Sequence, residues 1–149
     1  MVAMGPAELD AFLAAAFPTS VLPYRVTRAD DHGVELVQPF ADNQLRPGGT
    51  VSGPTLMTLA DTAAYVAVVS RVGPEFLAVT SHMAIDFLRK PAAAGLRATG
   101  ELLKVGRRQA FIAVRIHSQL DDELVAFATA TYALPTNSTV ARADRQPLT

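Results

Sequence analysis

PTLMTLADTAAYVAVVSRV, residues 54–72, is the segment around which the rest of the chain must be organised. Proline at the first helical position, just after Ser52-Gly53, marks a helix start, because the N–H it lacks would have found no intrahelical partner anyway. Beyond the proline the segment is apolar or small on nearly every side. A helix of that composition is not a surface helix, and other structure should wrap most of its circumference. Within it, Asp61 is the one group between Arg46 and Arg71 that titrates near or below neutral pH. It lies about two turns inside the helix, too deep to act as a cap. Aspartate is a mediocre helix former, and burying its charge unpaired would cost several kcal/mol or force a raised pKa. Either Asp61 serves chemistry, or it pairs with a distant arginine or caps another backbone segment.

Upstream of this helix, Leu9, Phe12, Leu13 and Ala16 fall at helical spacing and predict a short amphipathic helix over 6–17, stopped by Pro18 and Pro23. Two strands come next, Tyr24 to Ala29 and Gly33 to Phe40, around an Asp30-Asp31-His32-Gly33 turn, and then a loop over 41–53 rich in Asn, Pro and Gly. Downstream, Phe76 to Arg89 alternates so that Val79, Ser81, Met83, Ile85 and Phe87 share one face, with Thr80, His82 and Asp86 on the other. Leu96 to Val105, Gln109 to Ser118 and Leu124 to Leu134 predict three further strands joined by short turns, hence antiparallel hairpins. Ala126, Ala128 and Ala130 share a face of the last strand and would let a helix lie close on the sheet.

This order predicts an α+β domain over residues 1–135, an antiparallel sheet curled around a central helix at 54–72, with 136–149 a flexible tail. One sheet covers only part of a helix, so a second copy of the chain is expected to cover the rest.

At 149 residues and net charge −1, the chain is long enough to bury a core without staples and offers no overall basic field for nucleic acid. Without cysteine it has no disulfide, thiolate nucleophile or cysteine-ligated zinc, and His32, His82 and His117 show no i,i+4 pairing for a metal. Glu8 and Asp10 sit where an export signal would need a basic and then apolar start, and the apolar run near 63–69 is too short to span a bilayer. A cytoplasmic protein with neither membrane nor nucleic-acid partner is expected.

The loop before the central helix adds to the functional reading of Asp61. Gly48, Gly49 and Gly53 free the backbone for close approach to a ligand, and the helix start offers unpaired N–H groups that suit a developing oxyanion.

The run Asn43-Gln-Leu-Arg46-Pro-Gly-Gly-Thr-Val-Ser52-Gly53-Pro54, then Leu56-Met-Thr-Leu-Ala-Asp61-Thr-Ala, resembles the PaaI-type (phenylacetate-pathway) acyl-CoA thioesterases of the hotdog superfamily. So do Val79-Thr80-Ser-His-Met-Ala-Ile-Asp-Phe-Leu-Arg89-Lys90-Pro-Ala92, the Gly106-Arg107 turn and the strand from Leu124 to Tyr132. The resemblance covers residues 20–134. It implies a hotdog fold, with a long helix wrapped by antiparallel sheet, forming a homodimer or a dimer of dimers whose paired sites draw on both chains. It also implies hydrolysis of a small or medium acyl-CoA without a cofactor, coenzyme A being part of the substrate, and without a metal.

In that likeness Asp61 is the general base or nucleophile, the Gly53 N–H polarises the thioester carbonyl with help from Asn43, and Thr80 holds the water. Arg46, Ser52, Arg89, Lys90, Arg107 and Arg108 are the residues expected to face the substrate or its phosphates, since arginine offers a planar fork of donors. Leu56, Met57, Tyr65 and Phe87 are expected to wall the acyl pocket. The sequence departs from the family where Ser52-Gly53-Pro54 replaces His-Gly-Gly, and the loop after Asn43 is about three residues longer. Two rivals remain on the same fold, a non-catalytic acyl-CoA-binding protein and an enoyl-CoA hydratase; the latter typically needs a histidine beside the aspartate.

Overall fold

The computed structural model describes residues 2–19 and 23–135. The expected tail at 136–149 lies outside the described residues. Helix α1 spans Pro6–Ala16, with Pro6 at its start and Leu9, Phe12 and Leu13 buried on one side. It ends one residue short of the expected Phe17, which sits at the C-cap. Strands β1 (Arg25–Asp30) and β2 (Gly33–Gln38) form a hairpin over Asp31-His32, where the Asp30 carboxylate accepts the His32 N–H at 2.8 Å. β2 stops two residues before the expected Phe40 because Pro39 has no N–H for the ladder.

The segment expected as plain loop is more ordered than that. Asp42–Gln44 makes a 3-10 turn, and β3 (Leu45–Arg46) pairs with β4 (Thr50–Val51) across Gly48 and Gly49, both at positive φ. Two-residue strands are too short to leave an alternation in the sequence. Helix α2 then runs over Gly53–Val72, one residue earlier than its proline suggested. Ser52 is the N-cap, and Pro54 occupies the second position, whose N–H is equally orphaned.

After α2, Glu75 turns the chain by accepting the Leu77 N–H at 3.1 Å, so β5 covers only Val79–Phe87 of the expected Phe76–Arg89. β6 (Leu96–Val105) and β7 (Gln109–Ser118) match their expected bounds, and β8 is Leu124–Ala133. The six long strands form one antiparallel sheet in the order β1-β2-β6-β7-β8-β5.

The sheet curls around α2, which lies chiefly on β6 and β7. Gly100 in β6 permits this approach: a Cβ there would stand 2.9 Å from the Ala63 carbonyl oxygen. Ala98, Ala126, Ala128 and Ala130 keep the rest of the helix-facing surface shallow and are themselves buried. Every residue from Ala63 to Ser70 is buried. Each fully covered valine or leucine in this core contributes about 1.5–3 kcal/mol of hydrophobic stabilisation. Among the described residues no helix is long and apolar enough to cross a membrane.

Candidate active site

Asp61 lies on the one stripe of α2 that the sheet leaves open. Pro54, Met57 and Thr58 are exposed or half-buried there, and Asp61 is half-buried at the point where the stripe closes. Its carboxylate forms no ion pair among the described residues. Instead, two hydroxyls donate to the same oxygen: Thr80 Oγ1 and Tyr132 Oη each lie 2.6 Å from Asp61 Oδ1. The Tyr132 hydroxyl also lies 3.0 Å from the Asp61 backbone oxygen. Among the described residues Oδ2 accepts no hydrogen bond.

Backbone register delivers both donors. Thr80 pairs with Tyr132 across β5 and β8, so their side chains leave the sheet together on the helix side. On plain alternation Thr80 would face away from Met83, Ile85 and Phe87, as the sequence suggested. A bulge at Ser81 shifts the register between Thr80 and His82, and Met83, Ile85 and Phe87 then pair with Ala130, Ala128 and Ala126, on the same face as Tyr132. Thr80 therefore shares their face, and His82, paired with Thr131, turns to the opposite one.

Tyr132 escaped the sequence reading. The available signal was its parity, in step with Ala126, Ala128 and Ala130, which places one large hydroxyl-bearing ring at the end of a row of small inward residues. Burial first, and then the hydrogen bond to Asp61, push its phenol well above the usual tyrosine range. The ring therefore stays neutral and remains a donor. Tyr65 stacks on it at 5.9 Å and 13°, and its own hydroxyl donates to the Glu75 backbone oxygen at 2.9 Å. Burial and the charge of Glu75 push Tyr65 up to about 12. Asp61, Tyr65, Thr80 and Tyr132, with Phe17 and Phe76, line a cavity of about 380 Å³.

A second cavity of about 260 Å³ opens at the start of α2, lined by Gly53, Leu56 and Phe87 together with Arg46, Arg89 and Lys90. Ser52 Oγ caps the helix by accepting the Thr55 N–H at 3.3 Å and lies 2.9 Å from Thr55 Oγ1. That leaves the Gly53 N–H, which no intrahelical acceptor can reach, at the rim of the cavity. Arg89 is exposed and forms a loose 3.4 Å pair with Glu123.

The structure thus sorts the expected site residues into two groups. Asp61 and Thr80 meet, and Gly53 gathers Arg46, Arg89 and Lys90. Eight helical residues, about 12 Å of rise, separate Gly53 from Asp61. Arg107 and Arg108, exposed in the turn between β6 and β7, sit at the Thr80 end of the sheet, where Arg108 O accepts the Leu134 N–H. Arg89 and Lys90 lie just past the far end of β5, so the four basic residues are not one cluster within a protomer. Asn43 is exposed on the 3-10 turn and lines neither cavity. Of the expected acyl walls, Leu56 and Phe87 border the Gly53 cavity, Tyr65 borders the Asp61 cavity, and Met57 borders neither. No histidine lines either cavity, and no cluster of three potential metal ligands occurs among the described residues.

A family model described as the thioesterase superfamily matches residues 48–126, from the β3–β4 hairpin into β8. Among solved structures, a protein of a Silicibacter species with a provisional thioesterase assignment is 32% identical, with a TM-score of 0.82 over 91% of this chain and 94% of its own. Zebrafish thioesterase superfamily member 2 is 19% identical (TM-score 0.78, 89% and 100% of the two chains). The Escherichia coli PaaI protein of the phenylacetic acid degradation operon is 22% identical (TM-score 0.73, 89% and 96%). These last two share the fold. No curated protein matches the sequence.

Proposed function

The chain belongs to the thioesterase superfamily and has the hotdog fold, and from that premise we propose that it hydrolyses a small or medium acyl-CoA with Asp61 as general base or nucleophile. The observation that carries this reading is a carboxylate with one oxygen held by two hydroxyls and the other without a hydrogen bond among the described residues, at the wall of a cavity. A residue kept only for folding would not be placed there, since alanine fits an apolar helix better.

The working unit in this proposal is a homodimer. β5 is an open sheet edge, and it carries exposed Val79 and Phe87, next to exposed Phe76, Leu77 and Leu88. Such an edge is a template for pairing with another strand. Two β5 edges paired antiparallel would set the Thr80 end of one copy beside the Phe87 end of the other. The Gly53 N–H of the second copy would then approach Asp61, closing the 12 Å gap, roughly, that a single helix imposes.

In that site the thioester carbonyl oxygen rests on the Gly53 N–H at the positive end of α2, where negative charge is favoured as the tetrahedral intermediate forms. Asp61 Oδ2 takes a proton from water as the water oxygen bonds to the carbonyl carbon, or itself forms that bond and gives an anhydride that water then cleaves. The C–S bond breaks, and the coenzyme A thiolate leaves and takes up a proton. Arg46, Arg89 and Lys90 lie where they could hold its phosphates, with Arg107 and Arg108 brought in from the other end of the sheet. No separate cofactor is needed. An enoyl-CoA hydratase loses support because His82 faces away from the carboxylate.

Thiol release across a panel of acyl-CoA esters tests the proposal. Asp61→Ala should lower kcat by about 100- to 10,000-fold while leaving a folded dimer. Wild-type hydrolysis in that variant would reject it.

A further inference from the structure

We infer that Tyr132 is a positioning residue: with Thr80 it clamps Asp61 Oδ1, so that Oδ2 is the oxygen that reacts. The kinetic part of this inference rests on the thioesterase reading, while its geometric part does not.

Two donors converge on one atom. Both O–H···O contacts are 2.6 Å, in the range of hydrogen bonds to a charged acceptor. Because Oδ1 is doubly engaged and Oδ2 is not, the two carboxylate oxygens are chemically distinct before any substrate arrives. The clamp also opposes rotation. The Tyr132 hydroxyl sits between Oδ1 and the backbone oxygen of the same aspartate, at 2.6 and 3.0 Å, and a turn of the carboxylate would break the shorter contact.

The donor is itself anchored from three directions. Tyr132 is 3% exposed, its β8 backbone pairs with both Thr80 and Ala110, and the stacked Tyr65 ring is tied through its own hydroxyl to the turn at Glu75. A neutral phenol in that setting has a proton to give to Oδ1 and none to lose near neutral pH. It therefore acts on the reaction through Asp61 and not as an acid or base of its own. The proton of Thr80 is committed to the same oxygen, which makes Thr80 the second jaw of the clamp.

Tyr132→Phe removes the hydroxyl and keeps the ring, its stack and nearly all its volume. We expect kcat to fall about 10-fold or more with KM within about twofold, because the carboxylate is misdirected and substrate binding is untouched. A carboxylate that has lost a donor takes up a proton more readily, so the acid limb of the rate–pH profile should move to higher pH in this variant than in wild type. The titration midpoint of the ¹³C carboxyl resonance of Asp61, compared between variant and wild type, should move in the same direction. Thr80→Val should reproduce the upward shift, and Thr80→Ser, which restores a hydroxyl donor at that position, should reverse it.

A Tyr132→Phe protein with wild-type kcat and an unmoved carboxyl titration overturns the inference, even if its melting temperature falls. A wild-type measurement covers the case in which that variant does not fold. The Tyr132 hydroxyl proton should resonate far downfield and move in step with the Asp61 titration, and a resonance indifferent to that titration is equally fatal. Should the wild type release no thiol from any CoA ester, the thioesterase reading fails while the two spectroscopic readouts still decide the clamp.

Discussion

The two halves of α2 differ in composition and in surroundings: the first carries Thr55, Thr58, Asp61 and Thr62, the second only Ser70 and Arg71 as polar residues. From Ala63 to Ser70 every side is covered, by β6, β7 and β2 and by the residues around α1. From Gly53 to Thr62 only Leu56, Leu59 and Ala60 are fully covered, and the stripe through Pro54, Met57, Thr58 and Asp61 stays open. The open stripe therefore follows the polar and helix-start residues of the first half, with Met57 the one large apolar side chain of α2 left exposed on it. The carboxylate occupies the boundary between the halves. One turn further on, its charge would be sealed in without a counter-ion; one turn earlier, it would lie beyond the reach of Thr80 and Tyr132.

Carrying a charge across that boundary is the most severe test of the contrast. Val68→Asp, in the closed half, leaves a carboxylate with no partner and should cost about 3–5 kcal/mol, enough to abolish the cooperative transition in circular dichroism melts. Alkali tests the same half through Tyr65. The unfolded chain releases the phenolic proton near 10 and the folded chain near 12. Stability should thus be complete below pH 10 and fall as pH rises from 10 to 12, by about 2 kcal/mol in urea unfolding. Gly100→Ala pushes a methyl against the Ala63 carbonyl and should lower urea stability by about 1–3 kcal/mol. Ser52→Ala, in the open half, removes a cap worth about 1 kcal/mol by the same measurement. Asp61→Ala should be the mildest for folding, with a thermal midpoint equal to or slightly above wild type, since alanine is the better mid-helix residue and the freed Tyr132 hydroxyl keeps its contact with the backbone carbonyl at position 61.

Much of the architecture was legible because α2, β6, β7 and β8 are long enough for their periods to emerge. The inward alanines of β8 and the apolar sweep of α2 fix which surfaces meet, and Asp61 stands out because nothing in its neighbourhood resembles it. Other features stayed hidden because they depend on geometry that composition does not encode. The β3–β4 hairpin is too short for alternation. The bulge at Ser81 changes the phase of β5 without any glycine or proline to announce it. Tyr132 lies 71 residues from Asp61 in the chain, so only the closed sheet reveals that the two touch. The basic residues 89, 90, 107 and 108 read as a group because they flank turns, yet the turns lie at opposite ends of the sheet.

The irregularity at Ser81 has a corollary for how β5 tolerates change. A strand whose phase slips by one carries two codes in a single segment. Ahead of the slip the even-numbered position looks toward the helix; behind it the odd-numbered ones do. A saturation scan along residues 79–87 should therefore show the pattern of permissive and intolerant sites swapping parity at that serine, and deleting it should erase the swap while leaving the threonine opposite Tyr132 on the helix side.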